Sequence, residues 1–376
     1  MARPIKITYM IDVLDTDLAG TEGQLIKMIN GLDRNKFQVR LICLSNHPWF
    51  EANSASIECA SIIFEIRQFK KLRAYFNFLK LVGFLRRDRP DIVHTFFPVS
   101  NIVGVLAARL AGVKNIISSR RDYGEWMTGY YLFATRIADK FARMITVNST
   151  MVKELTLQKE NVGNKKVEVI YNGIDADLFK DIGKNHALKK QLNIPPAHKV
   201  IGIVANFRPM KHHDTFIKAA REILTHRSDV TFLLIGAGPL KEDIQKLGGT
   251  LNILPHLCFA GAQNNIIPYL SIMDLGVNCS EAEGLSNAVM EYMAAGVPCV
   301  VSHSGGNPDL ITNDFNGYSF TLDDYQALSV LILKLLDDEK TKQIFTKNAR
   351  DKIRNEMSLD VMLSTYQNLY QRLSSG

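Results

Sequence analysis

Short apolar runs rich in β-branched residues alternate with segments of helical period along almost the whole chain. The runs cover residues 5–11, 39–44, 62–66, 92–96, 115–118, 145–147 and 167–170. A second series covers 200–204, 231–235, 257–260, 275–278, 299–302 and 318–320. Helix-period stretches such as 22–32 and 101–111 lie between most of them, and the last ~50 residues read as helical. Buried strands separated by amphipathic helices build βαβ units and parallel sheets. A single hydrophobic core stops growing at about 250–300 residues, so 376 residues predict two such domains. The polar segment 177–199, with Pro195-Pro196, reads as the connection between them. The expected layout is a first α/β domain over 1–176, a linker over 177–199 and a second α/β domain over 200–357. A C-terminal helix over 358–376 follows, with the option of crossing back to the first domain.

Composition narrows the partners. No apolar run approaches the ~18 residues of a membrane span. Asp12, Asp15 and Asp17 interrupt any secretory h-region, which gives a cytosolic expectation. The five cysteines show no paired or metal-ligand spacing and read as reduced thiols. Residues 1–175 carry 25 Lys+Arg against 17 Asp+Glu, so the whole basic excess of the chain (+7) lies there. The segment 67–89 holds Arg67, Lys70, Lys71, Arg73, Lys80, Arg86, Arg87 and Arg89 against Asp88 alone, with Phe69, Leu72, Phe76 and Leu79 at helical spacing. Such a helix fits an anionic membrane surface, or packs its own stripe on the sheet. No nucleic-acid module is recognisable.

In open α/β sheets ligands bind beyond the carboxyl ends of the strands, so the loops after strands hold the candidate chemistry. The most informative is Ser280-Glu-Ala-Glu-Gly-Leu-Ser-Asn-Ala-Val-Met-Glu291. Gly284 permits a tight turn, after which the amides of Leu285, Ser286 and Asn287 open a helix at its positive end and suit a phosphate. Read as continuous helix, Glu283 and Glu291 stand about 12 Å apart, too far for a carboxylate pair but suited to two parts of one long ligand. From spacing alone Glu291 reads first as a solvated helix carboxylate.

That segment, through Val300, resembles the signature of retaining glycosyltransferases of family four, which have the GT-B fold: two Rossmann-like domains facing each other across a cleft. Other blocks agree in order. Val169-Ile-Tyr-Asn-Gly-Ile-Asp175 with Phe179, Ile235-Gly-Ala-Gly-Pro239, Gly305-Gly306 with Asp309, and Asn316-Gly317 are each similar to a family block. The resemblance implies transfer of a sugar from a nucleoside diphosphate sugar to an acceptor hydroxyl with retention. It suggests assembly of a lipid-linked glycan or surface polysaccharide, without metal or other cofactor. By the same resemblance Glu291 bonds the ribose, Glu283 lies near the donor sugar, and Gly284, Leu285, Ser286 and Asn287 face the sugar or diphosphate. Gly20 approaches the diphosphate from the other domain. Lys211 matches the family lysine that neutralises the leaving diphosphate, Arg208 is offset from the matching arginine, and His212 stands where the family has glycine. A nucleotide-sugar epimerase and a catalytically silent sugar-nucleotide or glycan binder remain as alternatives.

Several weaker features complete the picture. Gly236-Ala-Gly238 lacks the third glycine of a dinucleotide fingerprint. Asp15-Thr-Asp17 has the form of a metal-binding pair but sits where loop carboxylates are common. His212-His213-Asp214 reads as a helix start. His94, at a strand end, and Arg120, Arg121 and Asp122, where the family often has histidine, are candidate contacts to acceptor or sugar. The expected location is cytoplasmic, with peripheral attachment to the inner face of the membrane as an option.

Overall fold

The computed structural model describes residues 3–16, 20–66, 72–122, 124, 128–180 and 182–375. The strands are β1 Ile5–Ile11, β2 Phe37–Cys43, β3 Ala60–Ile63, β4 Ile92–Phe96, β5 Asn115–Arg120, β6 Met144–Val147 and β7 Val167–Val169. A second series is β8 Lys199–Val204, β9 Val230–Ile235, β10 Leu257–Gly261, β11 Leu275–Asn278, β12 Cys299–Ser302 and β13 Tyr318–Phe320. The helices of the first series are α1 Gly20–Gly31, α2 Pro48–Asn53, α3 Leu72–Asp88, α4 Val105–Leu110, α5 Gly129–Asp139 and α6 Thr150–Glu160. Those of the second are α7 His186–Gln191, α8 His213–His226, α9 Lys241–Thr250, α10 Ile267–Leu270, α11 Asn287–Ala295, α12 Asn307–Leu310, α13 Tyr325–Leu336 and α14 Glu339–Glu356. The last helix is α15, Leu359–Ser375.

Every expected run forms a strand, with ends shifted by at most three residues. Of the basic segment 67–89, residues 67–71 lie outside the described residues and Leu72–Asp88 form α3. The sheets have the orders β3-β2-β1-β4-β5-β6-β7 and β10-β9-β8-β11-β12-β13, and all their pairings are parallel. Both orders reverse direction beside their first strand, between β1 and β4 and between β8 and β11, the switch points at which doubly wound sheets bind ligands.

The chain divides into two compact units, Met1–Gly173 with Leu359–Gly376, and Ile174–Ser358. In the first, one face of the sheet packs Tyr9, Phe37 and Leu41 against Met28 of α1 and Tyr366 and Tyr370 of α15. The other face packs Met10, Ile42 and Val93 against Leu81 and Leu85 of α3, Val105 of α4 and Ala138 of α5. The hydroxyl of Tyr370 bonds that of Tyr9 at 2.9 Å and Nδ1 of His94 at 2.9 Å, which fixes α15 in this unit. In the second unit α8 and α13 bury Phe216, Ile217, Leu328 and Ile332 on Ile201, Phe232 and Val277.

The segment 177–199, expected as a free connection, is instead part of the second unit. Its apolar residues Phe179, Leu188 and Ile194 are buried, and Lys184 bonds Asp274 at 3.3 Å. Its charges made it read as a linker, whereas three well-spaced apolar anchors are enough to hold it down. All five cysteines are free thiols, and Cys43, Cys279 and Cys299 are buried.

Candidate active site

The loop after β11 is organised by side chains that end strands. Asn278 closes β11 and is buried. Its Nδ2 donates to Ser286 Oγ at 3.2 Å, and its Oδ1 accepts from the Ser280 amide at 3.1 Å and from Asn307 Nδ2 at 3.0 Å. Ser302, which ends β12, donates to the Ser280 carbonyl at 2.6 Å. Ser286 caps α11, with its Oγ accepting from the Val289 amide. Gly305-Gly306 lies directly on this loop: the Gly306 amide donates to the Glu283 carbonyl at 2.9 Å, and a Cβ at 306 would come within 2.1 Å of the Gly284 carbonyl oxygen. Only glycine permits that approach, which gives this pair of glycines its physical reason.

Glu283 and Lys211 meet here. Lys211 ends the single 3-10 turn Pro209–Lys211 after β8, and the Glu281 amide ties the two loops by donating to the Met210 carbonyl at 2.9 Å. Lys211 Nζ donates to Glu283 Oε1, which also accepts from Ser280 Oγ at 2.5 Å. The two side chains are 18% and 16% exposed. Burial pushes the Glu283 carboxyl up, but the Lys211 charge and the bonds from Lys211, Ser280 and Ser286 outweigh it, so the group titrates below the ordinary glutamate range. It is an ionised anchor that aims a lysine, a poor general acid but a firm mount for a cation.

Arg208 does not join this pair. It is exposed and lines a pocket of ≈ 650 Å³ with His212, Asp214, Asp243 and Asp323. His212 adopts φ 45°, ψ 48°. This left-handed conformation explains the glycine of the family pattern, since only glycine enters it without cost. Here the imidazole holds the turn from outside, with Nδ1 2.7 Å from Asp323 and Nε2 3.3 Å from Glu281. His213 starts α8, stacks on Phe207 at 4.4 Å between ring centroids, and is pushed down to about 4 chiefly by burial.

Helix α11 covers only Asn287–Ala295, so 283–286 is a turn and the 12 Å helical spacing expected between Glu283 and Glu291 does not apply. Among the described residues the amides of Leu285 and Ser286 donate to no other group, while Gly284, Leu285 and Ser286 are themselves buried. Glu291 lies one turn into the helix and is half-buried. The sequence reading missed Asn278, Ser280, Ser302 and Asn307. The signal for Asn278, Ser280 and Ser302 was a polar residue at or just beyond the end of an apolar strand, whereas Asn307 opens α12 and carried no such signal.

In the first unit Gly20 begins α1. Glu22, also overlooked, is buried in its first turn and pushed up to about 7 by burial, with Asp15 raising it and the Arg121 charge opposing. Asp17 lies outside the described residues. Among those residues no cluster of three or more histidine, cysteine or acidic side chains is arranged to hold a metal ion.

Two expected contacts are corrected. His94 is fully buried inside β4, bonded to Tyr370 and, at 2.8 Å, to Ser119; burial keeps it neutral, so it faces no ligand. Arg120 is 3% exposed. It bonds Glu160 in bidentate fashion at 2.8 and 2.9 Å, Asp139 at 2.7 Å and Ser118 at 2.6 Å, and so serves the core. Successive strand residues point to opposite faces, and Arg120 still belongs to β5.

Arg121, one residue beyond the strand, is half-buried. Its guanidinium bonds Asn172 Oδ1 at 2.5 Å and the Tyr366 hydroxyl at 3.4 Å, and lies 6.0 Å from the Phe96 ring centroid. Its Nε has no partner. Asp122 is exposed and accepts from the Gly124 amide at 3.0 Å.

Comparison with known proteins agrees with this architecture. Residues 184–352 match the family described as "Glycosyl transferases group 1", and residues 19–178 match "Glycosyltransferase Family 4". The chain is 27% identical to the UDP-Gal:alpha-D-GlcNAc-diphosphoundecaprenol alpha-1,3-galactosyltransferase of Escherichia coli, over 94% of each chain. It is 23% identical to the capsular polysaccharide biosynthesis glycosyltransferase CapM of Staphylococcus aureus, over 78% of this chain and 80% of the relative. The crystal structure of Anabaena Alr3699/HepE in complex with UDP superposes with a TM-score of 0.84 at 19% identity, over 99% of this chain and 100% of the other. The Escherichia coli and Staphylococcus aureus relatives are named as glycosyltransferases, and no observation supports the epimerase or silent-binder alternative. The chain belongs to the group 1 glycosyltransferases of family four, enzymes of the GT-B fold.

Proposed function

We infer that this enzyme moves a hexose from a UDP-sugar to a hydroxyl of a lipid diphosphate-linked glycan, with retention. The observation that carries the reading is the meeting of Lys211, ionised Glu283 and the open amides of Leu285 and Ser286 at one loop. A UDP complex of a protein of the same fold supports the base, and the lipid-diphosphate acceptor of the Escherichia coli relative supports the acceptor class. In the reaction the bond between anomeric carbon and diphosphate oxygen breaks, and the acceptor oxygen bonds that carbon on the same face. The acceptor proton passes to the leaving phosphate oxygen, and negative charge builds on the diphosphate. A cation fixed by Glu283 and amides already oriented by the Asn278–Ser286 bond need no rearrangement to stabilise that charge. Glu291 holds the ribose. Arg121 is the cation of the first unit placed to meet an anionic group of the acceptor. None of these steps calls on a metal.

The test is thermal stabilisation by a panel of nucleoside diphosphates in the presence of a chelator. Ligand at about a hundred times its Kd adds about 2.7 kcal/mol to the folded state, roughly 5–10 °C for a domain of this size. UDP should give that shift, and Glu291→Ala should lose most of it. A shift with another base alone, or one that persists fully in Glu291→Ala, refutes the donor-site assignment.

A further inference from the structure

The adjacent arginines at the end of β5 carry their charges differently. Arg120 meets two carboxylates, Asp139 and Glu160. Among the described residues Arg121 meets none. Its two bonds go to neutral oxygens, Asn172 Oδ1 and the Tyr366 hydroxyl, and its flank lies over Phe96. Glu22 is the acid whose field reaches it, yet the two share no bond, and burial holds that carboxyl up at about 7. A guanidinium has five N–H groups. Two are used here, and the buried Nε is left without a partner. A half-buried cation kept from every carboxylate is costly unless something else supplies the counter-charge.

The neutral mounts are rigid. Tyr366 is buried, stacks on Tyr370 at 5.9 Å between centroids and lies 5.8 Å from the His94 ring. Asn172 is buried, and the next residue, Gly173, exchanges two bonds with the Gln24 side chain of α1, at 2.9 and 3.0 Å. A Cβ at 173 would come within 3.0 Å of both Leu359 and Met362, so the chain presses this turn against the start of α15. Three distant parts of the first unit therefore fix one guanidinium just beyond the carboxyl end of β5. A fork held at two nitrogens, with N–H groups to spare, matches phosphate oxygens in bidentate fashion. Being ordered before it binds, it loses little freedom on binding.

We propose that Asn172 and Tyr366 are positioning residues that hold Arg121 without a counter-ion, and that Arg121 so held takes the diphosphate of the acceptor. This rests on the lipid diphosphate acceptor read above. The neutrality of residue 172 is the selective element: an aspartate there would keep the bond but satisfy the charge.

The test titrates geranyl diphosphate calorimetrically into the full chain with UDP in excess, with geraniol as the neutral control. The expected result is binding of the diphosphate and not of the alcohol. Arg121→Met should weaken it roughly 10–100-fold, and Asn172→Ala with Tyr366→Phe about three- to tenfold. Asn172→Asp should weaken it at least as much as that pair, with a melting temperature within about 3 °C of the parent. A merely structural Asn172 predicts unchanged affinity in Asn172→Asp, since an added ion pair serves the fold equally well. If Asn172→Asp does not fold, the Asn172→Ala, Tyr366→Phe pair decides in its place. No binding of geranyl diphosphate, its displacement by UDP, or full affinity in Arg121→Met or Asn172→Asp overturns the assignment to Arg121 and its mounts. Equal binding of geraniol overturns the diphosphate acceptor as well.

Discussion

Replacing Arg120 by methionine should unfold the first unit far more readily than the same change at Arg121. Arg120 is 3% exposed and meets two carboxylates whose own exposures are 1% for Asp139 and 0% for Glu160. The methionine fills much of the volume but leaves both acids facing each other in the core. Removing one partner of a buried ion pair costs about 3–5 kcal/mol, because the remaining charge has no compensation. Arg121 has neutral partners and is half-buried, so Arg121→Met loses two modest hydrogen bonds, about 1–2 kcal/mol. For a domain of this size each kcal/mol moves the midpoint by about 2–4 °C, so Arg120→Met should lower it by roughly 6–20 °C. The assay is intrinsic fluorescence during thermal and urea unfolding. Both tryptophans, Trp49 and Trp126, fall within Met1–Gly173, so the signal reports the unit in question. A triple variant with Arg120→Met, Asp139→Asn and Glu160→Gln should recover part of the loss, since it removes the stranded charges. If Arg120→Met stays within about 1 kcal/mol of the parent, or ranks below Arg121→Met, the reasoning about buried charge fails here.

Asp139 carries a pH signature. Burial holds its carboxyl up at about 7, against the pull of Arg120, while its unfolded value is 3.8. The folded state then keeps a proton that the unfolded state loses, so this group's contribution falls as pH rises from ~4 through ~7. Relative to Asp139→Asn, the parent should lose stability as pH rises across that window; parallel stability curves for the two would contradict this. Lys211→Ala should cut kcat by about 10²–10³, the typical cost of one fixed donor at a developing charge, with Glu283 then titrating higher. Unaltered kcat in steady-state transfer would remove Lys211 from the mechanism. At φ 45° His212→Ala should be less stable than His212→Gly by about 1 kcal/mol, and denaturant melts that rank them the other way would show that the bonds to Glu281 and Asp323, not the backbone, govern the turn.

Much of this protein is written locally. Parallel strands buried on both faces leave short, nearly continuous apolar runs, and helices between them leave a stripe, so β1 to β13 were all legible. The family blocks were legible for a related reason. A glycine at 306 pressed on the backbone of 284, or a serine capping α11 at 286, is demanded by geometry within a few residues. What stayed hidden depends on partners far away in sequence. Arg120 and Arg121 are adjacent letters, yet one finds carboxylates 19 and 40 residues on and turns inward. The other finds Asn172 and Tyr366 and stays at the edge. His94 became a core residue because Tyr370, 276 positions later, comes to meet it. The destination of α15 and the packing of 177–199 belong to the same class. Hydrophobic period specifies that an element forms and which side it buries. Which side chains meet is set by the assembled sheet, where burial makes most polar groups find a partner wherever in the chain that partner lies.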